Sequence, residues 1–303
     1  MTTSDRDRRH LTGRRVFITG AGGGIGGATA RLAAAQGALL FLTDKDADRL
    51  ATTAARIRSS GGAVAYAGAV DLTDHEAVRA MAKEIHAESG RPMDVVMNVA
   101  GISVWGSVTS LRNRHWRSVV EADLMGPIHV IEEFVPPMVE AGRGGRLVNV
   151  SSAAGLLGLP WHAAYSAGKF GLRGVSEVLR FDLRRYGIGV SLVVPGAVDT
   201  PLTETVEIVG VDPDDPAISR LRARFRRHAA TPEQVAAAIL DAVRRNRYLV
   251  HTSGLVRFAH GAQRFCPPVY VALMRLLNRR AQHVLEAAAR RSRTRTARTE
   301  RGW

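Results

Sequence analysis

From about residue 15 to residue 250, short apolar runs alternate with longer amphipathic stretches. The runs 15–19, 39–43, 63–67, 95–98, 146–150, 189–194 and 248–251 read as strands. Several are apolar at every position rather than at every second one, the pattern of strands covered by helices on both faces. Between them, segments 28–36, 46–59, 74–88, 115–139, 164–186 and 232–244 repeat apolar residues at helical spacing. Thr231-Pro232-Glu233 spells out a helix start, with threonine as cap and proline at the first helical position. Strand–helix alternation of this kind predicts an α/β fold, a doubly wound parallel sheet in a single domain. There is no internal repeat.

Two segments break the alternation. Residues 202–230 begin rich in Asp and Pro (Val211-Asp212-Pro213-Asp214-Asp215-Pro216) and then turn strongly basic. Following the carboxyl end of a strand, they can form a lid over a ligand or a surface excursion. Residues 251–303 lie beyond the predicted domain at 12–250, as residues 1–11 lie before it. Within the extension, 269–291 carries an apolar stripe (Leu273, Leu277, Ala281, Val284, Leu285, Ala288), with Arg275, Arg279 and Arg290 largely on other faces. Such a helix can lie on an anionic membrane surface, or pack its stripe on the preceding domain or a neighbouring subunit. The last dozen residues, rich in Arg, Ser and Thr, read as disordered.

Charge changes this picture little. The net charge is +14, but residues 254–303 hold eleven Arg against Glu286 and Glu300, a net of +9, which leaves +5 on the other 253 residues. Lysine occurs only at 45, 83 and 169, so 39 of the 42 basic residues are Arg, a bias typical of a GC-rich genome. The basicity belongs to the tail and argues against a nucleic-acid interface on the domain. A single cysteine, Cys266, excludes an internal disulfide and a cysteine metal site, and the ten histidines show no metal-ligand spacing. Neither an apolar leader within residues 1–15 nor a membrane-spanning run is present, so the expected setting is the cytoplasm.

The first strand runs into Thr19-Gly20-Ala21-Gly22-Gly23-Gly24-Ile25-Gly26-Gly27 and then a helix. Glycines let the backbone approach a diphosphate, and the helix start offers free N–H groups and a favourable dipole. A GxGxxG match through Gly22, Gly24 and Gly27 means little among so many glycines; TGxxxGxG through Thr19, Gly20, Gly24 and Gly26 is more specific. Asp44 follows Gly26 by 18 residues at the end of the second strand. An acid there can accept hydrogen bonds from adenosine ribose hydroxyls and repels a 2′-phosphate, which favours NAD over NADP. The adjoining Lys45 can pair with that phosphate and soften the preference. Asp44 can also cap the next helix.

Tyr165 and Lys169 stand four residues apart, on one helical face. A phenol ionises near pH 10, and a neighbouring ammonium favours the phenolate. Ser152 precedes Tyr165 by 13 residues, and Pro195-Gly196-Ala197-Val198-Asp199-Thr200 follows. In this order and at these separations, the motifs resemble the short-chain dehydrogenase/reductase family of single-domain type, over about residues 12–250. The resemblance implies a Rossmann-type domain whose cofactor loop holds Thr19, Gly20, Gly22, Gly24, Ile25 and Gly26. It also implies an adenine contact at Asp71-Leu72 and a nicotinamide-carboxamide segment at Pro195, Gly196, Val198 and Thr200. Asn98-Val99-Ala100-Gly101 is similar to the family's NNAG element, with Val99 in place of the second Asn. By resemblance, Tyr165 is the acid/base, Lys169 binds the nicotinamide ribose and lowers the tyrosine pKa, and Ser152, rather than Ser151, hydrogen-bonds the substrate oxygen.

The implied activity is interconversion of a secondary alcohol and a ketone with NAD or NADP, in a homo-oligomer paired through the helices bearing Asp123 and Tyr165. Candidate substrate contacts are Trp105, Leu156, Leu157, Leu159, Trp161, His162 and Leu202, mostly apolar, which favours an apolar substrate. His162 can reach substrate or serve as a surface or capping residue. The competing reading is a catalytically silent NAD(H)-binding module whose basic tail contacts lipid or nucleic acid; an intact Ser152, Tyr165 and Lys169 argue against it. One departure stands out: Asp123 occupies the position of the family's fourth-helix Asn, whose backbone carbonyl holds a water in a proton relay to the lysine. Aspartate supplies the same carbonyl, while a buried carboxylate would hold Lys169 charged and offset part of its effect on Tyr165. Asp123→Asn is therefore expected to keep turnover within about tenfold, ~1.4 kcal/mol in barrier; a loss of several hundredfold would give the carboxylate a role of its own.

Overall fold

Seven parallel strands form the centre of the structure, a computed structural model describing residues 11–227 and 229–299, with Glu204 and the last eight of these in backbone only. In chain order the first half runs β1 (Arg15–Thr19), α1 (Gly24–Ala35), β2 (Leu39–Asp44), α2 (Ala47–Ser59), β3 (Ala63–Ala69), α3 (His75–Ser89) and β4 (Val95–Asn98). A short β5 (Val104–Trp105) leads to α4 (Asn113–Val120), a π-helical segment (Glu121–Met125) and α5 (Gly126–Glu140). Next come β6 (Gly145–Val150), a 3-10 turn (Ala153–Gly155), α6 (Ala163–Asp182) and β7 (Ile188–Val194). Then follow α7 (Pro201–Thr205), β8 (Glu207–Ile208), α8 (Pro216–Arg227), α9 (Pro232–Arg245), β9 (Leu249–His251), α10 (Gly254–Phe265) and α11 (Pro267–Thr299).

The strand order β3-β2-β1-β4-β6-β7-β9 reverses direction between β1 and β4, and a crevice opens there beyond the carboxyl ends of the strands. Alternation along β1 shows why both faces are apolar. Val16 and Ile18 join a layer with Ala30 and Ala33 of α1 and Val235 and Ile239 of α9. Phe17 points the other way, onto Val78 and Ile85 of α3 and Phe134 of α5. Both layers are dry, and Phe17 stacks on Phe134 with ring centres 4.3 Å apart.

Every predicted strand is present, as are the predicted helices, with three differences of substance. The span predicted as one helix at 115–139 is interrupted by the π-helical segment that carries Asp123. The cap of α2 is Asp46, which accepts the Arg49 N–H at 3.0 Å, so Asp44 does not cap that helix. Leu11, expected in the N-terminal tail, is buried in the core at 2 % exposure; the rest of that tail lies outside the described residues. Of the last dozen residues, where disorder was expected, 292–299 continue the backbone of α11, and 300–303 lie outside the described residues. At Thr231 the expected helix start is a complete capping box: Thr231 Oγ1 accepts the Gln234 N–H, and Gln234 Oε1 accepts the Thr231 N–H.

Both segments that broke the alternation fold back on the domain. In the first, β8 pairs in parallel with β5, and α8 buries Ile218. Much of the stripe of the second packs inward, while Leu277 stays 37 % exposed: Leu285 and Ala288 are buried in a cluster with Val206, Ile208 and Ile218, and Ala281 packs against it. Leu273 and Tyr270 pack on Leu157 and Val256, and the Tyr270 hydroxyl accepts the Gly158 N–H at 2.9 Å. Arg291 clasps Asp215 through two hydrogen bonds, at 2.8 and 3.0 Å. Among the described residues no helix is long and apolar enough to cross a membrane.

Because Leu285 is 4 % exposed, Leu285→Ala should cost about 2–4 kcal/mol in urea unfolding, as for other buried leucines. An unchanged midpoint and slope would mean that the helix does not hold its place on the domain in solution.

Candidate active site

Two loops flank the crevice and are bound to each other. Thr19, fully buried at the end of β1, accepts through Oγ1 the N–H groups of Val99 and Ala100, each at 3.0 Å. Thr19 therefore fixes the loops rather than facing a ligand. Gly20 has φ 68°, and a Cβ there would lie 2.9 Å from the Ala100 backbone; one on Gly26 would run into the Gly20 carbonyl. Helix α1 starts at Gly23 with no side-chain cap and no acid in its first turn, leaving its N–H groups to an anion. This cradle fits a dinucleotide diphosphate.

Asp44 stands beside it. Its Oδ2 accepts the Gly22 N–H at 2.9 Å and its Oδ1 the Asp46 N–H at 3.0 Å, which fixes the carboxylate against the loop. Lys45 is exposed, and Asp71 is held below the usual carboxylate range by the Thr73 N–H, helped by the Thr73 hydroxyl and the charge of Lys45. Leu72 is buried, and its carbonyl meets His129 Nδ1 at 2.8 Å. Asn98 does not face the crevice. Its amide donates to Asn149 Oδ1 at 2.9 Å, and Asn149 donates onward to Ser176, a buried chain joining β4, β6 and α6. Gly101 lines the cavity, as do Ile25, Pro195, Gly196, Val198 and Thr200, whereas Ala100 packs against the α3–α5 layer.

The reactive groups come from β6 and α6. Ser151 is buried and donates to the Lys169 carbonyl at 3.1 Å, tying the strand end to the helix. Ser152 is left facing the same cavity as Tyr165, its hydroxyl accepting the Ala154 N–H at 3.2 Å. Lys169, one turn beyond Tyr165, donates to the Val150 carbonyl at 3.3 Å, and its Nζ lies 3.7 Å from Asp123 Oδ1 and 5.8 Å from the Tyr165 ring centre. Asp123 is wholly buried; Oδ1 also accepts the Ile102 N–H at 2.9 Å, and Oδ2 has no partner among the described residues.

Burial pushes the Asp123 carboxyl up to about 6, against the pull of Lys169 and the Ile102 N–H. The Tyr165 phenol is likewise pushed well above its ordinary value, by burial first and by the nearby Asp123 charge second, with Ser152 opposing. The direction differs from that expected of an ammonium acting alone, because burial penalises the phenolate and, secondly, the Asp123 charge repels it. In the protein alone Tyr165 is thus a proton donor at neutral pH.

Around this group lies a cavity of about 1230 Å³. Trp105, Leu157, Leu159, His162 and Leu202 line it. Leu156 and Trp161 do not: Leu156 lies in the core beneath, and Trp161 packs beside Ile208 and Leu285. Trp161 also holds φ 61°, a conformation uncommon for a bulky residue, with its carbonyl accepting the Gly106 N–H at 2.8 Å. His162 is half-buried and occupies the N-cap position of α6, though its side chain makes no capping hydrogen bond. Its ring lies 4.3 Å from Trp105 and 6.2 Å from Tyr165, and burial takes its pKa down to about 4, so it is neutral.

Sequence reasoning missed the far wall, built by Ile218, Leu221, Arg222 and Phe225 of α8 and by Met274 and Leu277 of α11. The signal was there in the three- and four-residue spacing of Ile218, Leu221 and Phe225, hidden by the surrounding arginines. No cluster of potential metal ligands occurs among the described residues.

Folding favours the neutral Asp123 carboxyl, so its stabilising contribution is complete below pH 3.8 and is lost as pH rises through about 6. An asparagine has no such loss. Between pH 4 and pH 8 the unfolding free energy of Asp123→Asn should move in the variant's favour relative to wild type by on the order of 1–3 kcal/mol. Parallel pH curves would sink this assignment.

The short chain dehydrogenase family model matches residues 14–208. The chain is 32 % identical over 275 residues to the probable oxidoreductase EphD of Mycobacterium tuberculosis, covering 89 % of this chain and 46 % of that protein. It thus spans about half the length of that relative. A short chain dehydrogenase/reductase from Burkholderia phymatum in complex with NAD superposes with TM-score 0.75 and 27 % identity, over 84 % of this chain and 95 % of that one. A gluconate 5-dehydrogenase from Burkholderia cenocepacia in complex with NADP and tartrate gives TM-score 0.71 and 28 % identity, over 83 % of this chain and 98 % of that one. With a glycine cradle at the switch point and Ser152, Tyr165 and Lys169 on one cavity, this chain belongs to the short-chain dehydrogenase/reductase family of oxidoreductases.

Proposed function

We propose that the protein interconverts a secondary alcohol and a ketone on an apolar substrate, with NAD as the favoured cofactor. The observation carrying this reading is that one cavity holds Tyr165, Ser152 and Lys169 at one end, beside the Gly20–Gly26 cradle, and apolar walls elsewhere. The cofactor would be held by the free N–H groups of α1, by Asp44 at the adenosine ribose, by Lys169 at the nicotinamide ribose, and by Pro195, Gly196, Val198 and Thr200. Bound there, it accepts or supplies the hydride.

The chain's own residues handle the proton. In reduction the Tyr165 hydroxyl donates to the oxygen that gains charge, and the Ser152 hydroxyl adds a second hydrogen bond. In oxidation the phenolate takes the alcohol proton, and the Lys169 ammonium favours that ionised state. Asp123 gives the ammonium a counter-charge and, with burial, keeps the phenol protonated in the resting site. Subunit pairing through α5 and α6 is supported by the exposed Phe170, Val178 and Phe181 on α6.

Nicotinamide fluorescence titration tests the cofactor assignment: NADH should bind more tightly than NADPH, and Asp44→Ala should erase most of the difference. Binding of neither nucleotide would overturn the reading. Any ketone that the wild type reduces should lose about 10²–10⁴-fold in kcat with Tyr165→Phe, while NADH affinity holds.

A further inference from the structure

The cavity has a charge asymmetry that proton transfer does not use. Among the described residues of its wall there is no carboxylate, and the cations are Lys169, Arg222 and Arg226. Lys169 has Asp123 beside it. Arg222 lies one turn after Ile218 on α8, in the apolar wall opposite the core; its Nε is sealed from solvent, with no acceptor among the described residues. Arg291, near the start of α8, shows the contrast: its guanidinium meets the Asp215 carboxylate at 2.8 and 3.0 Å.

A guanidinium does not shed its charge, and its donors are fixed in a planar fork that matches a carboxylate. The Arg222 Nε, on the wall that Ile218, Leu221 and Phe225 also line, is a sealed donor with no acceptor among the described residues, a costly state in an apolar setting. A neutral apolar substrate would fill the space and leave that donor unmet. A substrate bearing an anion would bring the acceptor with it.

We propose that the substrate is an amphiphile, with an apolar body lying along α8 and α11 and a carboxylate received by Arg222. The inference rests on the reading of this cavity as the substrate site, and it adds what the far end recognises. Tyr165 and Ser152 act on a hydroxyl or carbonyl in the body of the molecule, and Arg222 sets how deep the molecule sits. Arg222 then decides which carbon is presented to the reactive end.

Calorimetric titration of the full-length protein, with and without saturating NAD, uses decanoate and methyl decanoate as probes. Decanoate should bind wild type at least tenfold more tightly than the ester. Arg222→Met should remove that preference and Arg222→Lys should keep part of it, with NADH affinity unchanged in both. Thermal unfolding of each variant checks that the fold survives. Equal binding, binding of neither probe, or a preference that persists in Arg222→Met would overturn the proposal. A tenfold loss of NADH affinity in Arg222→Met would do so too, by assigning the guanidinium to the cofactor. Failure of the dehydrogenase reading is separate: wild type would then bind no nicotinamide nucleotide, whatever it does with decanoate.

Discussion

Lys169 carries a positive charge into the interior, at 3 % exposure, and the surrounding elements are arranged to hold it there. An ammonium out of water needs both a counter-charge and acceptors. The Val150 carbonyl supplies one acceptor, at the point where β6 ends. Asp123 supplies the counter-charge, and it reaches inward from a π-helical segment, a device often found where a helix must present a side chain to a site. Gly101 and Gly168 let the β4 loop and α6 close on this pair: a Cβ at either would sit 2.8 Å from an atom of Asp123. The sheet, the helix pair and the reactive tyrosine thus share one electrostatic centre.

That centre also sets the chemical state of the site. A carboxylate near 6 and a phenol above its ordinary range are two acids that discourage each other's ionisation. The protonation state of Tyr165 therefore follows from what lies against it, and the protein alone favours the neutral phenol.

The parallel sheet was legible because its strands are apolar on both faces and are punctuated by helices with clear starts, as at Thr231. Tyr165, Lys169 and Ser152 were legible through their spacing together with the family resemblance that it carries, and the Ser151 hydroxyl is taken up by the Lys169 carbonyl. Other residues resisted. Asn98 carries a motif position but is turned into a buried amide chain, which no local pattern reveals. Trp161 sits two residues after Leu159 yet faces away, because a positive φ reverses the chain there. The α8 wall was obscured for a different reason: its apolar face is only three residues wide and is embedded among arginines whose destinations depend on α11.

The wall cluster of Val206, Ile208, Ile218, Leu285 and Ala288 shares no buried residue with the two layers that sandwich the sheet. Its members come from 206–218 and from α11, so they meet only after α11 has been made. A ribosome-bound chain lacking α11 already holds every strand and the complete diphosphate cradle. The sheet and its cradle can therefore form first, and the wall built by α8 and α11 closes against them last. The same separation lets sequence drift reshape that wall while leaving the sheet's packing intact.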